Sequence, residues 1–152
     1  MTRMERSGIS VDVPTGWEGT IDGGGFEQLS SGGSRPTLMH VGSFPLPADR
    51  GSFGSGATEL MNTDDILIVL FEYGPESAGT PLFAAEGSPR SLSPDDFDRD
   101  ALQHAIPGQS GVQRFFTTGG RAFCLYVVLG SHIDRSELTP RVNQVLATVE
   151  IS

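Results

Sequence analysis

Residues 112–130 read VQRFFTTGGRAFCLYVVLG, two apolar, aromatic and β-branched runs around Gly119–Gly120. Two such runs around a Gly-Gly pair predict a β-hairpin. In the second run Ala122, Cys124, Tyr126 and Val128 share one face, and Phe123, Leu125, Val127 and Leu129 share the other. Both faces are apolar, the pattern of a central strand with a layer on each side. Residues 66–71 (ILIVLF) carry the same pattern, and Glu72 and Tyr73 finish that strand.

Ile9–Val13 alternates at period two and predicts a half-buried strand ended by Pro14. Trp17, Gly19 and Ile21 predict a second short strand, and 26–29 resume the pattern after Gly23-Gly24-Gly25. Residues 30–36 read as loop. Within 37–44, Met39 and Val41 share one face, and Leu38, His40 and Phe44 the other. Residues 57–61 make one helical turn or dock a crossing loop. Segment 74–94 is rich in Pro and Gly and reads as a long irregular connection. Ser93-Pro94-Asp95-Asp96 carries the cap and first-turn chemistry of a helix or a single turn. Leu138, Val142, Val145, Leu146 and Val149 recur at helical spacing and predict a closing helix, opened by Thr139–Pro140 or by Ser136. Val149 and Ile151 either finish that helix or run out as a short extended tail.

Two strands apolar on both faces need cover on each face. The closing helix supplies one cover, and 57–61 or 94–106 the other. The expected fold is therefore α+β, an antiparallel β-sheet between helical layers (an α/β/α sandwich). The alternative is a β-sandwich with a C-terminal helix. Residues 1–8 read as a flexible N-terminus and 9–152 as a single globular domain.

Charge narrows the function classes. The net charge is −9, and the ten cationic residues are all arginine. Phosphate binding needs clustered positive charge, so the acidic balance argues against nucleic acid and against an anionic membrane surface. No apolar stretch reaches membrane-spanning length, and the first residues have no apolar signal core. A cytoplasmic location is expected, with export by a dedicated secretion machine left open. The absence of lysine removes Walker-type phosphate binding and Schiff-base chemistry. One cysteine excludes an intramolecular disulfide framework.

Candidate chemistry is sparse. His40, His104 and His132 are far apart in sequence and form no metal-ligand spacing. The run Asp95-Asp96-Phe97-Asp98-Arg99-Asp100 lacks the Gly and Glu of a calcium loop and reads as a solvated acidic turn. Cys124, on a two-faced apolar strand, is expected to be buried and inert. His40 with Glu72 is the best acid/base pair if their strands neighbour each other, although a strand histidine is ordinarily a hydrogen-bonded core residue. Trp17, Phe26, Phe71 and Tyr73 are the candidate lining of an apolar pocket or interface, with 74–94 as its lid. The ordinary reading of Trp17 is core. No cofactor and no metal is called for.

Ile9-Ser10-Val11-Asp12-Val13-Pro14-Thr15-Gly16-Trp17 and Val145-Leu146-Ala147-Thr148-Val149 together resemble the PsbP/Mog1-like superfamily. The first is its opening strand followed by Pro, any residue, Gly and Trp. The second is similar to its last helix running into a short tail. The resemblance implies an antiparallel sheet between helical layers and a non-enzymatic accessory role, and it carries over no catalytic or binding residue. The expected function is a non-catalytic interaction or accessory protein, acting on a protein partner in a larger bacterial assembly or as a homo-oligomer. A small-molecule-binding domain with an apolar pocket near Trp17 is the second expectation, and a hydrolase-like enzyme the third.

Overall fold

The computed structural model describes residues 1–23, 37–48 and 53–152. In chain order the elements are β1 (Thr2–Arg6), β2 (Ile9–Val13), β3 (Glu18–Asp22), β4 (Leu38–Gly42), α1 (Ser55–Thr58), β5 (Ile66–Tyr73), β6 (Ser110–Thr118), β7 (Arg121–Leu129), α2 (Arg135–Leu146) and β8 (Glu150–Ile151). The strands form two antiparallel sheets, β1-β2-β8 and β3-β4-β5-β7-β6. The predicted 26–29 extension and the 30–36 loop lie outside the described residues.

The β6–β7 hairpin follows from its sequence. Gly119 and Gly120 take φ 57° and 78°, the positive pair that a two-residue turn of matching twist requires. Thr118 and Arg121 close the ladder beneath it. On the other side of β7, Ile66 to Tyr73 pair with Leu129 to Ala122. The face parity read from the sequence holds. Ile66, Ile68, Leu70, Phe123, Leu125, Val127 and Leu129 enter the main core with Met39 and Val41, while Leu67, Val69, Tyr126, Val128 and Phe44 form a second core on the reverse.

The expected α+β class, with its α/β/α sandwich, is corrected. The described residues are mainly antiparallel β, with one helix of seven residues or more. Both faces of β5 and β7 are indeed covered, but mostly not by helices. The helix-side face packs on Leu138, Val142, Val145 and Leu146 of α2 and on Ile9, Val11 and Val13 of β2. The loop-side face is closed by Ala57 of the single-turn α1, with Phe53, Met61 and Leu102 from irregular chain. The burial requirement specifies apolar side chains at a given place, and it is indifferent to the backbone that delivers them.

The connection between β5 and β6 wraps the β6 edge twice. Phe83 packs on the loop side. At the edge Thr117 donates to the Ala85 carbonyl and accepts from Gly87 N. On the helix side the Arg90 guanidinium holds the carbonyls of Ala147 and Val149, and Leu92 exchanges two hydrogen bonds with the Asn143 amide. Asp98 and Gly111 then exchange backbone bonds of 2.9 and 3.0 Å, and Gln103 N donates to the Tyr126 hydroxyl on the loop side. Ser93 caps only a 3-10 turn at Pro94–Asp96, because the chain must recross the sheet within a few residues.

Two boundaries differ from the sequence pattern. Residues 1–8, read as a flexible start, contain β1, joined to β2 through Ser7 and Gly8 at φ 54° and 79°. Met4 is the one apolar residue of TRMER, so periodicity has nothing to detect there. Helix α2 starts at Arg135, and Pro140 lies inside it rather than at its first position. The Thr139 hydroxyl donates to the Arg135 carbonyl at 2.6 Å. Val149 marks no last turn, since 150–151 pair with β2 as β8.

Gly130 leaves no room for a side chain, because a Cβ there would collide with the Asn62 carbonyl oxygen. Gly130→Ala is expected to destabilise the fold by about 1–3 kcal/mol, the ordinary cost of overpacking. A urea midpoint unchanged from the parent protein would refute that close approach.

Candidate functional site

The sheet register separates the residues that the sequence nominates. His40 is fully buried opposite Val69, on the loop-side face. Glu72 lies opposite Phe123, on the helix-side face. Successive strand residues point to opposite faces, so the five-stranded sheet stands between the two side chains and the His40–Glu72 dyad does not form. Glu72 is engaged instead by Arg121, whose Nε and Nη2 donate to its two oxygens at 2.8 and 2.9 Å. Such a bidentate pair fixes both side chains. Arg121 also donates to the Ser152 carbonyl, which ties the end of β8 to the hairpin.

The nominated aromatic set divides as well. Trp17 is half-buried against the main core, with the Arg141 guanidinium 5.6 Å from its ring centre. Beside it an open depression of about 360 Å³ is lined by Met4, Val13 and Pro14 together with Thr2 and Thr15. Phe71 and Tyr73 lie elsewhere, on the loop-side face. Phe26 lies outside the described residues. Segment 74–94 covers Tyr73 through Phe83, at 5.1 Å between ring centres, and does not reach over Trp17 as a lid.

What the structure assembles is an aromatic strip. Tyr126 meets Phe53 edge-on at 5.7 Å, Phe53 stacks on Phe71 at 5.2 Å, and Phe71 meets Tyr73 at 5.0 Å. Phe83 and Phe115 complete it at 5.5 Å from each other. These separations lie within the range in which ring pairs attract beyond simple burial. Tyr126 and Phe83 are buried, whereas Phe53, Phe71, Tyr73 and Phe115 each keep part of their surface open to solvent. Parity in β6 and β7 alone puts Phe115 on the face of Cys124 and Tyr126. Phe53 and Phe83 come from irregular chain, where no period announces them.

Cys124 lies beneath the strip, opposite Phe71 on one neighbouring strand and Phe115 on the other. It is buried, and desolvation pushes its thiol pKa up to about 12. Burial also raises the Tyr73 and Tyr126 hydroxyls. A thiol in that environment is neutral at pH 7 and a poor nucleophile. His104 bonds Glu59 at 3.2 Å on the surface. His132 has its pKa lowered by desolvation and then by Arg135 and Arg99, against a smaller opposing pull from Asp98. Among the described residues no group of three His, Cys, Asp or Glu stands close enough to hold a metal ion, and no helix is long and apolar enough to cross a membrane.

The buried thiol links stability to pH. Its folded pKa lies above the unfolded value, so its contribution is complete below about pH 9 and is lost as pH rises toward 12. Stability is expected to fall across that window, less steeply in Cys124→Ala, which loses about 1–2 kcal/mol at neutral pH through its small cavity. Native thiol labelling at pH 7 should be slow relative to the denatured chain, and rapid native labelling would overturn the burial. No family model, curated protein or solved structure matches this chain.

Proposed function

We propose that this chain is a non-catalytic interaction protein that docks a protein partner on the aromatic strip, in the cytoplasm. The observation that carries this reading is the run of partly exposed rings of Phe53, Phe71, Tyr73 and Phe115. Half-buried aromatics already fixed by their neighbours lose little entropy on docking, and aromatic anchors carry much of the energy of protein interfaces. The separation of His40 from Glu72 adds support, since it removes the nominated acid/base pair. The test is recovery of the native complex with the parent chain and with Phe53→Ser and Phe115→Ser. Each substitution is expected to weaken retention of the partner about thirtyfold, the effect of losing an anchor of about 2 kcal/mol. A chain that retains no partner, or one indifferent to both substitutions, would defeat the proposal.

The depression beside Trp17 supports a second reading, the binding of a small apolar molecule. Trp17 is the single tryptophan, so its fluorescence reports that site alone. Titration with small aromatic and aliphatic compounds is expected to shift its emission in a saturable way, and an emission unchanged across the series removes this reading.

A further inference from the structure

Strand β1 is the edge of the three-stranded sheet, and among the described residues β2 is the strand that pairs with it. The edges of the two sheets differ here. That of β6 is closed by Ala85, Gly87 and Asp98. Edge strands with unpaired backbone groups are templates for another strand.

The direction of those groups follows from the neighbours of β2. Asp12 N donates to the Thr148 hydroxyl, and the Gly8 carbonyl accepts from Ser152 N, both on the side away from β1. The even-numbered residues of β2 therefore turn their backbone groups away from β1. Arg3 and Glu5, which lie opposite Asp12 and Ser10, must direct their own N–H and C=O outward to the free edge. Thr2, Met4 and Arg6 spend theirs on β2.

We propose that the chain self-associates through β1, two copies pairing antiparallel about a two-fold axis at Met4. Three antiparallel registers place outward groups opposite each other. One sets Arg3 against Arg3 of the second copy, and another sets Glu5 against Glu5. Like charges directly opposite are destabilising. The third sets Arg3 against Glu5 twice, with Met4 on Met4. Charge thus leaves one register, and that register is self-complementary, as a two-fold interface requires. Charged residues on an edge ordinarily discourage pairing. Here their alternation discourages every register but one.

The side chains agree with this pairing. Glu5 is exposed and has no hydrogen bond or ion pair among the described residues. The two Nη atoms of Arg3 are held on the β2 side by Asp12, Ser10, Glu150 and the Thr148 carbonyl, so Glu5 of the second copy would meet Arg3 from across the edge at its Nε side. On the opposite face Met4 lines the depression beside Trp17, and Met4 of the second copy would cover part of that apolar surface. The contact is small, so the dimer is concentration-dependent rather than obligate. This surface is remote in the fold from the aromatic strip, so the two proposals fail separately.

The experiment is sedimentation of the full chain from about 1 µM to about 1 mM at physiological ionic strength, where repulsion between the two acidic copies is screened within about 8 Å. A monomer–dimer equilibrium is expected. Glu5→Arg sets arginine against arginine twice and should raise the dissociation constant about tenfold or more. Glu5→Pro removes one outward N–H per copy without touching the β1–β2 bonds, and should abolish the dimer. Circular dichroism checks that each variant is folded, and Glu5→Gln, which removes only the charge, should weaken association about threefold if either variant is not. A protein monomeric throughout, or a dimer unchanged by every folded Glu5 variant, overturns the proposal. A dimer lost on Phe53→Ser but retained in the Glu5 variants overturns it as well.

Discussion

The pairing of β5 with β7 is the contact on which the rest of the structure depends. Eight consecutive residue pairs, from Ile66–Leu129 to Tyr73–Ala122, join two strands that are apolar on both faces. Such a pair has no surface it can leave in water, so described residues from several other elements are recruited to cover it. One cover is α2 with β2. The other is a patch of short turns and irregular chain around Ala57, Phe53, Met61 and Leu102. The long connection wraps the β6 edge, joins both covers, and fastens α2 through Asn143. With only one long helix among the described residues, the fold meets its burial requirement through the placement of single side chains.

That economy explains where the aromatic strip comes from. A helical layer on the loop-side face would have buried Phe71, Tyr73 and Phe115 completely. Irregular chain covers a sheet face incompletely, because its carbonyl and N–H groups need partners and cannot lie densely on an apolar surface. Phe53 and Phe83 reach in from such chain to the rings of Phe71 and Tyr73, and Phe53, Phe71, Tyr73 and Phe115 stay partly exposed. The strip and the neutral Cys124 thiol beneath it have one origin. Both follow from a strand pair whose second face is closed by loops.

Edge management divides the two sheets in a similar way. The β6 edge is occupied by the connection, which supplies backbone partners at both of its ends. The β1 edge is left to its side chains, and the alternation Arg3, Met4, Glu5 controls what it accepts. Arg121 and Glu72 lock the hairpin to the chain's last residue, so β8 and the β1–β2 turn are held at one corner.

By itself the sequence determined the local patterns. The Gly119–Gly120 hairpin, the two-faced character of 66–71 and 121–129, and the facing of Met39 and Val41 away from His40 are properties of period two and of one turn. The need for two covers also followed, since an apolar face cannot face water. Only the tertiary structure decided what the covers are, because burial energy counts apolar area and not secondary structure. It decided that TRMER is a strand, since β1 owes its form to the β2 ladder and not to its own periodicity. It decided that His40 and Glu72 lie on opposite faces, because register joins residues that the chain order leaves unrelated. Phe53 and Phe83 had no local signal at all, and only the shape of the surface they close brings them beside Phe71 and Tyr73.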